Sequence, residues 1–270
     1  MRKASSPIGV MDAGMGGYTV VKELQKILPQ EEILYYGDGA NQPYGNRSKE
    51  EILHLTRQCL RFLQGRGVKA VAVACNTIST LLEEYQEEFP FRIFSIVEAG
   101  SYDAVAMGLS EVGVLSTVFT AQSGCYERLI QKYAPETRVY AQGCPKLARI
   151  IEDGDFDCAA IDRELHETLG ILAEEHPQLN ALILGCTHFP MVRENIEKHY
   201  PQFTALINPA ATQARLVKEY LEREHLLHPQ GAGTLHICTT SDVEVYRDVA
   251  ARNGLRVTDI ELVGAPELLK

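Results

Sequence analysis

Two cysteines stand out by their surroundings, Ala74-Cys75-Asn76-Thr77 and Gly185-Cys186-Thr187-His188. Each ends a short apolar run, Ala70-Val71-Ala72-Val73 or Ala181-Leu182-Ile183-Leu184, and each is followed by small hydrogen-bonding residues. A residue in that place sits at the carboxyl end of a parallel strand, where open α/β sheets bind their ligands. Backbone N–H groups at the start of a following helix favour an anion and can lower a thiol pKa from its usual value of about 8.5. One such cysteine is as readily a small core residue; a matched pair points to two thiols that move protons or act as nucleophiles. His188, two residues past Cys186, reads as a proton partner for that thiol. Neither half offers a Cys-x-x-Cys or a second histidine at ligand spacing, so no metal site is expected.

Three further segments could line the same site. Asp12-Ala13-Gly14-Met15-Gly16-Gly17 follows the first strand-like run and precedes a helical one. A dinucleotide fingerprint would need its third glycine where Thr19 stands, and no Gly-Lys-Ser/Thr ending is present, so a nucleotide loop is not the reading. What remains is a tight turn that brings a ligand close to the backbone, with Asp12 as either a helix cap or a reactive acid. The turn-rich loop Gly37 to Gly45, containing Pro43 and Tyr44, can offer backbone N–H groups to a carboxylate. Thr117 and Thr120 occupy the corresponding place after the run ending at Leu115, with helix capping as their structural alternative. No lysine has an obvious pyridoxal-phosphate setting and no redox-cofactor motif occurs, so side chains are expected to carry the chemistry without a cofactor.

The elements that must hold these residues are legible as alternating periods. Apolar or β-branched runs at Ile8–Met11, Ile33–Tyr36, Ala70–Ala74, Ile93–Val97, Val112–Leu115, Val139–Ala141, Ala181–Leu184 and Ala205–Asn208 predict strands. Helical periods lie between them. Tyr18–Leu28 places Val20, Val21, Leu24, Ile27 and Leu28 on one face; Ser48–Leu63 opens with a Ser48/Glu51 capping box; a third helix is expected from Pro190. This is an α/β pattern of mainly parallel sheets flanked by helices. A short internal duplication accompanies it. Ile8-Gly9-Val10-Met11 resembles Val112-Gly113-Val114-Leu115, and the two cysteine segments resemble each other, both at an offset of roughly a hundred residues. Two similar lobes are the expected result.

The chain has 270 residues, 45% of them hydrophobic, enough for one large or two modest domains. Its net charge of −10, with the basic residues spread along the chain, gives no nucleic-acid footprint. No apolar run reaches membrane-spanning length and the amino terminus lacks a signal-peptide pattern, so a cytoplasmic protein with no membrane partner is expected. Seven cysteines, an odd number at irregular spacing, argue against a disulfide framework.

Through nearly its whole length the chain resembles the glutamate racemases of the aspartate/glutamate racemase superfamily. The resemblance runs through Ile8-Gly9-Val10-Met11-Asp12, Pro43-Tyr44-Gly45, Ala74-Cys75-Asn76-Thr77, Thr117 and Thr120, Cys144-Pro145 and Gly185-Cys186-Thr187-His188-Phe189-Pro190. It implies two pseudo-twofold-related α/β lobes, residues 1–97 with 208–270 and residues 98–207, with substrate in the cleft between them. It further implies that Cys75 and Cys186 transfer protons, Asp12 assisting the first and His188 and Glu152 the second. Pro43, Tyr44 and Gly45 would hold the side-chain carboxylate of glutamate; Ala13, Asn76, Thr77, Thr117, Thr120 and Thr187 would surround the amino-acid head group. D-Glutamate for peptidoglycan, and hence cell shape, would be the product, and a homodimer the assembly. One residue departs from the pattern: the family usually has Asp-Ser-Gly after its first strand, and Ala13 replaces that serine. Aspartate or another amino acid is therefore the alternative substrate. A Cys186/His188 hydrolase or lyase leaves Cys75 without a task, and a non-catalytic amino-acid-binding protein would leave both thiols without one.

Overall fold

The computed structural model of the chain describes residues 3–153 and 158–268. Its first half runs β1 (Ile8–Asp12), α1 (Tyr18–Ile27), β2 (Ile33–Gly37), α2 (Lys49–Gly65), β3 (Ala70–Val73), α3 (Asn76–Ser79), β4 (Arg92–Ser95) and α4 (Ile96–Ala106). There follow β5 (Glu111–Ser116), α5 (Val118–Gln122), α6 (Cys125–Tyr133), β6 (Arg138–Gly143), α7 (Leu147–Glu152), α8 (Cys158–Glu175) and β7 (Ala181–Gly185). The last part is α9 (Arg193–His199), β8 (Ala205–Ile207), α10 (Ala210–Arg223), β9 (Leu235–Thr239), α11 (Val243–Arg252) and β10 (Asp259–Leu262). The chain forms two compact units, Met1–Ile96 with Ala210–Lys270, and Val97–Pro209.

The first unit is built on a six-stranded sheet of order β10-β9-β2-β1-β3-β4, the second on a four-stranded sheet of order β6-β5-β7-β8. Every pairing is parallel. The order β2-β1-β3-β4 thus recurs as β6-β5-β7-β8, and the duplicated segments fall on β1/β5 and β3/β7. Equivalent glycines show why. Gly9 lies opposite Val71, and a Cβ on it would stand 3.1 Å from Val71 and 3.4 Å from Leu63 of α2. Gly113 lies opposite Leu182, and a Cβ there would stand 2.9 Å from Leu182 and 3.2 Å from Leu172 of α8. In each unit the missing side chain lets one helix pack close on the central strand.

The strands β1, β2, β3 and β7 are buried along their full lengths, which is why they read as unbroken apolar runs rather than alternating ones. The second unit's core gathers Leu115, Leu147, Leu165, Leu169, Leu182, Phe189 and Ile196. At α2 the capping box forms as expected: Ser48 Oγ accepts from Glu51 N, and Glu51 Oε2 accepts from Ser48 N.

Three expectations are corrected. The fourth strand stops at Ser95, and Ile96 and Val97 open α4. Pro190 lies in a 3₁₀ turn, Phe189–Val192, and the α-helix starts only at Arg193. The expected strands also omit β9 and β10. β10 is a mostly exposed edge strand whose Asp259 and Glu261 hide it from a search for apolar runs.

Among the described residues no helix is long and apolar enough to cross a membrane. Cys59, Cys75, Cys125, Cys144, Cys186 and Cys238 are free and buried; the side chain of Cys158 lies outside the described residues.

Candidate active site

Each sheet reverses its direction of winding beside its central strand. From β1 the chain moves to β2 on one side and then to β3 on the other; from β5 it moves to β6 and then to β7. The crevice beyond the carboxyl ends at such a switch point is where doubly wound sheets bind ligands. In the first unit Asp12 and Cys75 flank it, and in the second Thr117 and Cys186. The register holds them there: Met11 lies opposite Val73, Ala74 N donates to Met11 O at 2.9 Å, and Ser116 lies opposite Gly185.

In the first unit Asp12 is buried, and its Oδ2 accepts from Gly14 N at 3.2 Å and Gly17 N at 3.1 Å. Gly17 is the cap residue of α1, so the carboxylate braces the turn leading into that helix. Ala13, Asn76 and Thr77 are buried in the same region, and Cys75 is 8% exposed. The helix after Cys75 is the single turn Asn76–Ser79. What it presents is individual N–H groups, not the aligned dipole of a long helix.

The loop after β2 is organised by Asp38, a residue the sequence reading passed over. Its buried carboxylate accepts from Asn41 Nδ2 at 3.0 Å, Tyr44 Oη at 2.6 Å and Thr240 Oγ1 at 2.8 Å, and its N–H donates to Asp12 O at 3.2 Å. Burial pushes its pKa up against those donors. Gly37 permits the approach, since a Cβ there would lie 2.7 Å from Gly14 O. Asp38 thereby holds, through Tyr44, the 3₁₀ turn Tyr44–Asn46 that follows Pro43 and contains Gly45. The Tyr44 hydroxyl is committed to Asp38, so what this loop can offer a ligand is its backbone. Tyr44→Phe is accordingly expected to lower stability by about 1–3 kcal/mol while changing KM by less than about threefold. A melting curve and a KM measurement check this; a large rise in KM would place the hydroxyl on the ligand instead.

In the second unit Thr117 caps α5, its Oγ1 accepting from Thr120 N and donating to Thr120 Oγ1 at 3.0 Å. Capping thus describes Thr117, while Thr120 lies buried behind it. Cys186, 6% exposed, lies 3.7 Å from His188 Nδ1, and the other ring nitrogen of His188 is hydrogen-bonded to Glu152 Oε2. Thr187 is buried between them in sequence. A carboxylate, an imidazole and a thiol in series form a path that can hold or pass a proton. Burial opposes a charge on His188, but the Glu152 carboxylate and the Cys186 sulfur outweigh it and hold the pKa well above the ordinary histidine value. The stabilisation that follows is complete below the unfolded-state value and is lost as pH rises through the folded one. Glu152→Gln removes the carboxylate, so His188 should give up its proton at lower pH. Imidazole NMR titration reads this directly, and an unmoved midpoint would contradict it.

A third thiol, Cys144, follows β6. It lies 3.5 Å from Glu164 Oε1 and 3.3 Å from Thr168 Oγ1, and burial pushes its pKa up to about 12. Lys146 N also donates to Glu164 Oε1 at 2.9 Å, which anchors the start of α7, the helix that ends in Glu152. Cys144 is therefore a protonated structural thiol. Among the described residues no group of three or more His, Cys, Asp and Glu side chains is placed to hold a metal ion.

Comparison with known proteins agrees with this architecture. Residues 8–217 match the family model described as Asp/Glu/Hydantoin racemase, and the chain belongs to that family of enzymes. Glutamate racemases are among its relatives within the family. The chain is 37% identical over 276 residues to a glutamate racemase of Thermus thermophilus, covering 99% of this chain and 100% of that one. Among solved structures it superposes on glutamate racemase isoform RacE1 from Bacillus anthracis with a TM-score of 0.90 and 31% identity, over 97% of this chain and 98% of that one. The glutamate racemase from Francisella tularensis subsp. tularensis, solved in complex with D-glutamate, gives 0.89 and 31% over the same shares.

Proposed function

We propose that this chain is a glutamate racemase that interconverts L- and D-glutamate without a cofactor, using Cys75 and Cys186 as its two bases. The observation that carries the reading is the repeated placement of one thiol beside the switch point of each sheet. Racemisation must remove the α-proton from one face and deliver a proton to the other, and two bases do so without turning the intermediate over. One thiolate takes the α-proton: the C–H bond breaks, an S–H bond forms, and the electron pair moves toward the α-carboxylate. The second thiol gives its proton to the opposite face and is left as thiolate. The enzyme ends with thiol and thiolate interchanged between the two cysteines, ready for the reverse reaction or, once the proton has been passed back through water, for another turnover.

The remaining roles follow the same logic. Asp12 assists Cys75, and the Glu152–His188 pair assists Cys186. The backbone of Pro43, Tyr44 and Gly45 receives the side-chain carboxylate, while Asn76, Thr77, Thr117, Thr120 and Thr187 surround the head group with neutral donors. Such donors stabilise charge developing on the α-carboxylate most when water is excluded. The product would supply D-glutamate for peptidoglycan in the cytoplasm, with the enzyme a homodimer.

Ala13 favours a second reading in which another amino acid is preferred. It is a buried methyl group in the turn after β1 and offers no hydrogen bond to a substrate. Incubating the protein with L-glutamate or L-aspartate, without added cofactor, and following optical rotation decides between them. Faster loss of rotation with glutamate is expected; rotation lost only with aspartate would overturn the assignment. Ala13→Ser should lower KM for glutamate by about fivefold, the equivalent of one hydrogen bond of about 1 kcal/mol. An unchanged KM would show that position 13 does not meet the substrate.

A further inference from the structure

We propose that Gln213, on the first turn of α10, is a positioning residue for Cys75. Its side chain is fully buried, and Nε2 donates to Val73 O at 2.9 Å and to Phe94 O at 2.8 Å. Both hydrogens of the amide are thereby used. Val73 is the last residue of β3, two before Cys75, and it sits at the final pair of the β3–β4 ladder, opposite Ser95. Val73 O also accepts from Ser79 Oγ at 3.2 Å, and on the other side Ala74 N is held by Met11 O. The peptide leading to Cys75 is therefore tied to β1 on one flank and through Gln213 to β4 and α10 on the other.

The position of Gln213 in the chain adds to this. The chain leaves the first unit after Ile96 and returns at Ala210. Gln213 joins the returning helix to Phe94, two residues before the departure, and to the strand carrying the thiol. Among the described residues no partner meets its Oε1. An alkyl side chain of similar size would fill the same space without burying that oxygen, so the contribution of the amide is its two donors. This role rests on the proposed use of Cys75 as a base. It predicts that loss of the donors displaces one thiol and not the other, and a displacement on the order of 1 Å costs up to about a hundredfold in rate.

The test compares wild type with Gln213→Leu and Gln213→Asn, the second too short to reach both carbonyls, using whichever variants give a cooperative melting transition. Iodoacetamide labelling of the full-length protein, resolved by peptide mass spectrometry, gives separate alkylation rates for Cys75 and Cys186. A change of about threefold or more in the Cys75 rate with Cys186 unmoved is expected. It should be accompanied by a kcat/KM for glutamate lowered about tenfold or more and by an α-deuterium isotope effect that grows in one reaction direction only. Equal changes at both thiols, or no change at either in a folded variant, would overturn the proposal. Labelling needs no turnover, so it still decides the role of Gln213 if the wild-type protein does not racemise glutamate.

Discussion

Cys75→Ser and Cys186→Ser should each lower kcat/KM for L-glutamate by about 10³-fold or more, and each should do so equally for D-glutamate. The equality is a requirement of thermodynamics. The two enantiomers have the same free energy in water, so the ratio of kcat/KM in the two directions is fixed at one for every variant. The size of the loss follows from chemistry: a serine hydroxyl is far less acidic than a thiol and holds too little alkoxide near neutral pH to remove a weakly acidic α-proton. In the proposed mechanism each reaction direction uses both thiols, one as base and one as acid, so neither substitution would leave a functional direction. Circular dichroism at the absorbance edge of the amino acid follows both. A variant retaining more than about a tenth of wild-type kcat/KM would remove that cysteine from the proton path. The hydrolase alternative predicts an asymmetry between the two variants instead, with Cys186 essential and Cys75 dispensable.

The second large effect is on stability. Lys69 is fully buried, its Nζ at 2.5 Å from Glu31 Oε2, 2.6 Å from Ala4 O and 2.9 Å from Leu226 O, and Glu31 Oε1 in turn accepts from His228 N at 2.8 Å. The ammonium joins the amino terminus, the entrance to β2, the entrance to β3 and the segment after α10. Lys69→Met fills the space of the alkyl chain but strands the Glu31 carboxylate in the interior. Removing one member of a buried ion pair typically costs about 3–5 kcal/mol. The melting midpoint of the first unit should fall by on the order of 10 °C. Glu31 and Lys69 lie at the amino ends of their strands, roughly 15 Å from the carboxyl ends that carry Asp12 and Cys75. Turnover per folded molecule should therefore be unchanged. A midpoint within a degree or two of wild type would show that the pair contributes little beyond the packing of its alkyl chain.

How much of this was legible before the structure depended on the sequence distance over which each feature is determined. The strands β1, β2, β3 and β7 declared themselves because burial on both faces of a parallel sheet demands continuous apolar runs, the less buried β6 through its short Val139–Ala141 run alone, and the α2 cap because its partners are three residues apart. Both cysteines were recognisable for the same reason: a strand end and the polar turn after it are adjacent in the chain. β9 and β10 were missed because His236, Asp259 and Glu261 interrupt the apolar signal. The Pro190 reading named a turn correctly as helical in kind but placed the α-helix three residues early.

Long-range partners carried no local mark. Asp38 meets Thr240 across 202 positions, and Gln213 meets Val73 across 140 and Phe94 across 119. Only the fold brings them together. Glu152 and His188, 36 positions apart, were each expected near Cys186 through the family resemblance, but the hydrogen bond between them has no mark in their own neighbourhoods.

The most direct test of the two-thiol account is the fate of the α-hydrogen when the purified protein, with no cofactor added, turns over L-glutamate in deuterium oxide. Early in the reaction, two separate bases deliver a solvent-derived deuteron to the face opposite the one that lost its proton. The D-glutamate formed should then carry deuterium at Cα while the remaining L-glutamate keeps its protium, and D-glutamate as substrate should give the mirror result. Product that retains the protium of its substrate would mean that a single base carries the proton from face to face, and would contradict the assignment of Cys75 and Cys186 as two independent bases.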